Sequence, residues 1–174
     1  YVNNATGRVN NMKIATNSVN GTLLMPGEEF SYNKAIGQTT PENGYQQAGA
    51  YVAGEVVQEY GGGVCNISTI LYRAAMRANL KSSLRYNHSM MVSYAEPSLD
   101  ATVYEGEIDY RFVNTYDFPI YIEGYMTSNT IVFNIYGNKE SFGNNTYELV
   151  NEVIEKIDYT TEYVNDNTLA EGSR

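Results

Sequence analysis

The sequence predicts an α+β domain: an antiparallel sheet packed with two main helices, over about residues 5–20 and 65–80, with a candidate nucleophilic cysteine at the N-terminus of the second. Three observations carry this. Apolar residues recur at helical spacing after Cys65. Apolar and polar residues alternate from about residue 108 to 136, as in a sheet with one wet face. Gly, Pro and Asn clusters punctuate the chain at the spacing of short elements.

In the first helical stretch, "ATGRVNNMKIATNSVN", Val9, Met12, Ile14, Ala15 and Val19 fall close to a 3.6-residue period, and Asn20-Gly21 can close it. "TLLMPGEEFSYN" reads as a strand, a Pro-Gly turn and a second extended piece. Residues 34–60 read as irregular, apart from a hairpin over "AYVAGEVVQEYGGG" with its turn at Ala53-Gly54. In the second helix Ile67, Ile70, Leu71, Ala74, Ala75 and Ala78 share one face, with Arg73 and Arg77 on the other, near the C-terminal end where cations are favoured. Beyond residue 83 the texture is extended, and strands are expected at 108–114, 118–126 and 130–136. "GNKESFGNN" reads as a linker, and the tail alternates like strand. The domain reading is therefore 1–137, a linker at 138–146, and the start of a second β module at 147–174.

Composition excludes several function classes. A net charge of −9, from 20 acidic and 11 basic residues, lacks the basic stripe that neutralises phosphates, so no nucleic acid partner is expected, nor peripheral binding to anionic lipid. A single Cys and a single His do not make a closed zinc site, no metal-ligand spacing is present, and no cofactor is implied. There are 17 tyrosines and no Trp; half-buried strand positions should take most of the tyrosines. No apolar run is long enough to span a bilayer. The chain begins with Tyr and is expected to be a piece of a longer protein whose export signal or anchor lies upstream. Nothing calls for an obligate oligomer, and a monomer is expected.

The chemistry concentrates in "GGGVCNIST". A cysteine nucleophile needs its thiolate; a helix N-terminus supplies free N–H groups and partial positive charge. Glycines such as Gly62 and Gly63 let a substrate backbone approach, and the same amides can stabilise an oxyanion. His88 is the only imidazole available as base and acid. An imidazole needs an orienting partner; Asp100 is the first choice, with Ser89, Ser93, Tyr94 and Glu96 as alternatives. The competing reading of Cys65 is a small buried hydrophobe, that of His88 a hydrogen-bonded loop residue, and that of Asp100 a turn or cap residue.

The stretches "NGTLLMPGEEFSYNKAIGQTTPENGY", "GGGVCNISTILYRAAMRANL", "RYNHSMMVSYAEPSLDATV" and "DYRFVNTYDFPIYIEGY", followed by "IYG", together resemble the VanW family in order over roughly residues 4–137. The tail "VIEKIDYTTEYVNDNTLAEG" resembles the opening of a G5 domain, a small β module. The family resemblance implies L,D-transpeptidase activity on peptidoglycan through a cysteine nucleophile. It puts that role on Cys65, the "HS" pair on His88 and Ser89, and the acidic position on Asp100. Asn66 stands where Gln is common, a change that keeps the amide. The thiolate would attack the carbonyl of the third residue of a donor stem tetrapeptide, D-Ala would leave, and a neighbouring stem amine would take the acyl group to form a 3→3 cross-link. Arg85 or Arg111 would bind a stem carboxylate, although both read equally well as sheet-surface charges. Tyr and Gly around residues 44–62 would line the groove. The resemblance also implies a membrane-anchored protein on the outer face of the membrane or in the wall of a Gram-positive-type bacterium. The competing functions are a non-catalytic wall- or glycopeptide-binding module and a cysteine peptidase, amidase or L,D-carboxypeptidase of the wall.

Overall fold

The structure, a computed structural model, describes residues 6–52, 55–142, 145–158 and 160. Helix α1 (Thr6–Val19) buries Asn11, Met12, Ala15, Thr16 and Val19, a single stripe one turn apart. Ile14, expected on that face, is only half-buried. Two polar residues take core positions because each is satisfied there: Thr16 Oγ1 donates to the Met12 carbonyl (2.8 Å), and Asn11 is engaged by the loop it packs on. Gly21, at φ +85°, turns the chain into strand β1 (Thr22–Leu24). The Pro-Gly turn leads to β2 (Glu29–Ser31).

Short helix α2 (Tyr32–Ile36) follows, its N-terminus capped by the Ser31 hydroxyl, which accepts from Lys34 N (3.2 Å). A 3₁₀ turn at Pro41–Asn43 precedes β3 (Gln47–Val52), which pairs antiparallel with β4 (Glu55–Tyr60). The expected hairpin is therefore present, while its turn at residues 53–54 lies outside the described residues. Helix α3 (Val64–Arg77) buries Ile67, Leu71 and Ala75 as expected, and also Asn66, Ser68, Thr69 and Tyr72. Strands β5 (Lys81–Leu84), β6 (Arg111–Val113), β7 (Ile120–Met126) and β8 (Ile131–Tyr136) complete the sheets, and α4 (Lys139–Phe142) closes the domain.

The class is α+β with two main helices, but the strands form three antiparallel sheets, in the orders β1-β7-β8, β2-β6-β5 and β3-β4, instead of one. Asn114 explains the division between the first two. Its main chain exchanges hydrogen bonds with Gly27 and Glu28 at the end of β2 (both 2.9 Å). Its buried side chain donates to Leu24 O (3.1 Å) and Phe118 O (2.9 Å). Carbonyls that would otherwise be orphaned where the ladder breaks are thereby satisfied. Strand β6 starts later than expected because the Asp109 carboxylate is turned to the N-terminus of α2, accepting from Ser31 Oγ (2.7 Å) and Asn33 N (2.9 Å).

The core lies between α1, α3 and the sheets, around Met12, Tyr32, Ile67, Leu71, Phe112 and Ile122, all essentially inaccessible to water. Two further differences concern the C-terminal part. Residues 139–142 of the expected linker are helical, because Phe142 packs edge-on against Tyr116 and Phe118 (ring centroids 4.9 and 5.5 Å). Residues 145–158 form no strand, and Val150, Val153, Ile154 and Ile157 are all exposed. The remainder of the G5-like stretch, from residue 161 onward, lies outside the described residues.

Candidate active site

The glycine run is a crossing point of three elements. Gly62 lies flat on β3: a methyl group there would sit 2.4 Å from Ala48 O. Gly63, the N-cap of α3 at φ +110°, faces the stem of Arg8, and a methyl group would sit 3.0 Å from its Cγ. Asn11 locks this arrangement from α1. Its Nδ2 donates to Gly62 O (3.1 Å) and Gln46 O (2.8 Å), and its Oδ1 accepts from Gln46 N (2.8 Å). The close approaches that require glycine are thus made by the chain itself.

Cys65 is the second residue of α3 and is half-buried. Its Sγ lies 3.3 Å from Val103 O and 3.9 Å from Thr102 Oγ1, and it opens into a cavity of about 430 Å³ that His88, Tyr94, Arg8 and Asn66 also line. Among the described residues the N–H groups of Gly63 and Cys65 have no backbone partner, whereas that of Gly62 donates to Glu59 O (3.3 Å). The N-terminal, positive end of α3 thus carries, among the described residues, two N–H groups without a backbone partner, one of them on Cys65 itself.

The segment carrying His88 and Asp100 is pinned to α3 by hydroxyls. Ser68 Oγ donates to Ala101 O (2.6 Å), and Thr69 Oγ1 accepts from Ala101 N (3.0 Å). Asp100 is buried, and its Oδ2 accepts from the His88 main-chain N–H (2.7 Å) and lies 2.5 Å from His88 Nδ1. This holds the Nδ1 proton on the aspartate side and leaves Nε2 for the cavity. Tyr94 Oη lies 3.2 Å from that Nε2. Burial lowers the pKa of His88, but hydrogen bonding and charge from Cys65 and Asp100 outweigh it, and the imidazole stands above its ordinary value. Burial pushes the Tyr94 phenol well up, with Cys65 and Asp100 adding to it, so Tyr94 keeps its proton.

Arg85 lies beneath this pair. Its Nε donates to Asp100 O (2.7 Å), its Nη2 to Ser98 O (2.7 Å) and, more weakly, to Asp100 Oδ1 (3.4 Å), while its guanidinium stacks over Tyr72 (5.1 Å). It supports Asp100 and does not line the cavity. Arg111 is remote from the site, on β6, paired with Asp109 (2.7 Å) and Glu29 (3.6 Å). Ser89 is exposed and lines not the cavity of Cys65 but a second one, beside Asn87 and Met91, which His88 and Asp100 also border. The structure thus brings together Cys65, His88, Asp100, Gly62 and Gly63, places Arg85 behind Asp100, and leaves Ser89 and Arg111 outside. Arg8 and Asn11 were missed: an Arg and an Asn early in a helix read as solvated positions, and only the crossing of α1 over the glycine run reveals them. Among the described residues no three His, Cys, Asp or Glu side chains are grouped to hold a metal ion, and no helix is long and apolar enough to cross a membrane.

A family model described as VanW like protein matches residues 7–136. The uncharacterized protein YoaR of Bacillus subtilis (strain 168) is 34% identical over 139 residues, which cover 79% of this chain and 46% of the relative. The vancomycin B-type resistance protein VanW of Enterococcus faecalis (strain ATCC 700802 / V583) is 27% identical over 139 residues, covering 76% of this chain and 50% of the relative. The chain spans about half the length of these curated relatives. No solved structure matches.

Proposed function

The chain belongs to the VanW family, and from that membership and the geometry around Cys65 we propose that it is a peptidoglycan L,D-transpeptidase acting through a cysteine thioester. The observation that carries the proposal is a buried imidazole, held by Asp100 on one side and Tyr94 on the other, on the wall of the cavity into which Cys65 opens. The name of the enterococcal relative, a vancomycin resistance protein, supports a cell-wall setting. The thiol is expected to act on the outer face of the membrane or in the wall, in a longer protein carrying its own anchor.

In the first half-reaction the Cys65 thiol gives its proton to His88 Nε2, and the raised pKa of the ring favours the resulting imidazolium. The thiolate attacks the carbonyl carbon of the third stem residue. The N–H groups of Gly63 and Cys65, which have no backbone partner among the described residues, stabilise the oxyanion. Collapse breaks the peptide bond; the imidazolium protonates the departing D-Ala amine, and a thioester remains. In the second half-reaction His88 takes a proton from the acceptor amine as it attacks, and later returns it to the cysteine sulfur. Asp100 fixes the ring's tautomer throughout.

The test is intact-protein mass spectrometry after mixing the chain with a disaccharide-tetrapeptide, beside Cys65→Ala. A Cys65-dependent adduct and a cross-linked product with loss of D-Ala are expected. Cleaved but uncrosslinked product would make it a carboxypeptidase or amidase. An inert thiol, with the stem peptide still bound, would make it a binding module.

A further inference from the structure

Arg8, on the first turn of α1, lines the same cavity as Cys65, His88 and Tyr94. Its stem lies against Gly63, two residues from the nucleophile. Its charge acts on Tyr94, favouring the ionised phenol. One guanidinium nitrogen, Nη2, donates to Gly49 O on β3 (2.5 Å), which braces the side chain across the hairpin. The Nε is shielded from water and has no hydrogen-bond partner, and no carboxylate pairs with Arg8 among the described residues. In a chain with 20 acidic and 11 basic residues, a guanidinium kept without a counter-charge inside a cavity is a site waiting for an anion.

Its neighbours agree. Asn66 is 4% exposed, lines the cavity, and its Nδ2 also has no partner. Gly63 and Cys65, whose N–H groups have no backbone partner among the described residues, line the same cavity. The acidic residues on the cavity wall are at its exposed rim: Glu59, and Glu105, which accepts from Thr39 N (3.0 Å). The inner wall therefore offers donors in excess of acceptors.

We infer that Arg8 anchors the α-carboxylate of the residue that leaves, so that the site selects a stem ending one residue beyond the attacked carbonyl. This rests on the acyl-transfer reading of Cys65. The leaving residue's carboxylate is three bonds from the attacked carbon, a span of about one residue, or about 3.8 Å between Cα atoms, and the Arg8 stem lies against Gly63, two residues from Cys65, on the wall of the same cavity. The planar fork of a guanidinium suits a carboxylate better than a carboxamide, which has lost the charge and one acceptor. Asn66 Nδ2 supplies a further donor. Neither Arg85, committed to Asp100, nor Arg111, committed to Asp109, has this freedom.

The experiment is calorimetric binding of two probes to Cys65→Ala, which binds without turning over: a disaccharide-tetrapeptide with a free C-terminal D-alanine carboxylate, and its C-terminal carboxamide. The acid should bind about ten- to a hundredfold tighter. With Arg8→Gln added the preference should vanish, and with Arg8→Lys part of it should remain. Equal binding of the two probes to Cys65→Ala, no binding of either, or a preference that survives Arg8→Gln would overturn the inference. The probe comparison needs no change at Arg8, so misfolding of the Arg8 variants cannot mask it. Acylation of the unmutated chain is read separately by mass. Acid-selective binding through Arg8 without acylation would keep the anchor and remove the transpeptidase. Equal acylation by both probes would do the reverse.

Discussion

Asp100→Asn changes one carboxylate oxygen into an amide nitrogen and tests the whole arrangement around His88. In the native site a single oxygen, Oδ2, takes both the His88 main-chain N–H (2.7 Å) and the ring Nδ1 (2.5 Å), while Oδ1 faces Arg85 Nη2 at 3.4 Å. The asparagine can place its one carbonyl oxygen on His88 only by turning its NH₂ toward the Arg85 donor. Both bonds to His88 then become neutral, about half as strong as charge-assisted ones. With each charged bond worth about 1.5–3 kcal/mol, the two together lose roughly 1.5–3 kcal/mol. The side chains of Asp100 and Arg85 are 5% and 21% exposed, so solvent screens this little. In a domain of this size that lowers Tm by roughly 5–10 °C. Arg85 keeps Ser98 O and Asp100 O, so the fold survives. The ring loses the charge that helped raise its pKa, and the imidazolium population beside Cys65 falls. Acyl transfer should drop about 10²–10⁴-fold. Iodoacetamide alkylation of Cys65 at neutral pH, followed by mass, should slow with it, and the His88 ring resonances should titrate at lower pH by NMR. A variant with unchanged alkylation and unchanged His88 titration would refute the coupling of Asp100 to the thiol through the ring.

Because the folded pKa of His88 lies above its ordinary value of 6.5, its contribution to stability is fully present below about pH 6.5 and is lost as pH rises through the folded value. Urea unfolding of the wild type against His88→Gln should therefore show an advantage greatest near about pH 6 and shrinking toward about pH 9; an advantage that grows with pH would mean the ring is held neutral. Gly62→Ala puts a methyl group 2.4 Å from Ala48 O and should destabilise by about 1–3 kcal/mol, measured by thermal melting; a neutral outcome would show that the loop is not pressed onto β3. Phe142→Ala removes edge-on contacts with Tyr116 and Phe118 and should destabilise by roughly 1–3 kcal/mol in denaturant, whereas a change below about 0.5 kcal/mol would fit a loose linker.

What could be read from the sequence follows the length of each signal. Helix α3 repeats its apolar face over four turns, and β7 alternates buried and open positions along seven residues, so both stand out. Helices α2 and α4 have five and four residues, too few for a period. They form because of tertiary contacts: the Ser31 and Asp109 caps for one, the Phe142 docking for the other. The division into separate sheets depends on Asn114 filling the gap between ladders, and one asparagine among many carries no such mark. At the site, Cys65 and His88 were legible because each is the only residue of its type. Arg85 drew the role of a substrate ligand because charge alone does not show that its partners are Asp100 and Ser98. Arg8 could not be found at all without the crossing of α1 over Gly63.

The same geometry weighs against a cysteine kept only for packing. A packing cysteine sits among apolar side chains and asks for nothing polar nearby. Cys65 instead opens into a cavity that an imidazole also lines, hydrogen-bonded to the thiol and backed by a carboxylate, their side chains 8% and 5% exposed. Desolvating such a pair is unfavourable, and apolar residues of similar volume would hold the loop at least as well. The chain spends further polar residues on keeping the pair in place: Arg85 under Asp100, Tyr94 on Nε2, and Ser68 and Thr69 on Ala101. Each of these fixes a proton position or an angle at His88 and adds little to the apolar core. A constellation of buried, mutually satisfied titratable groups that converges on one thiol is more economically explained by chemistry at that thiol than by stability.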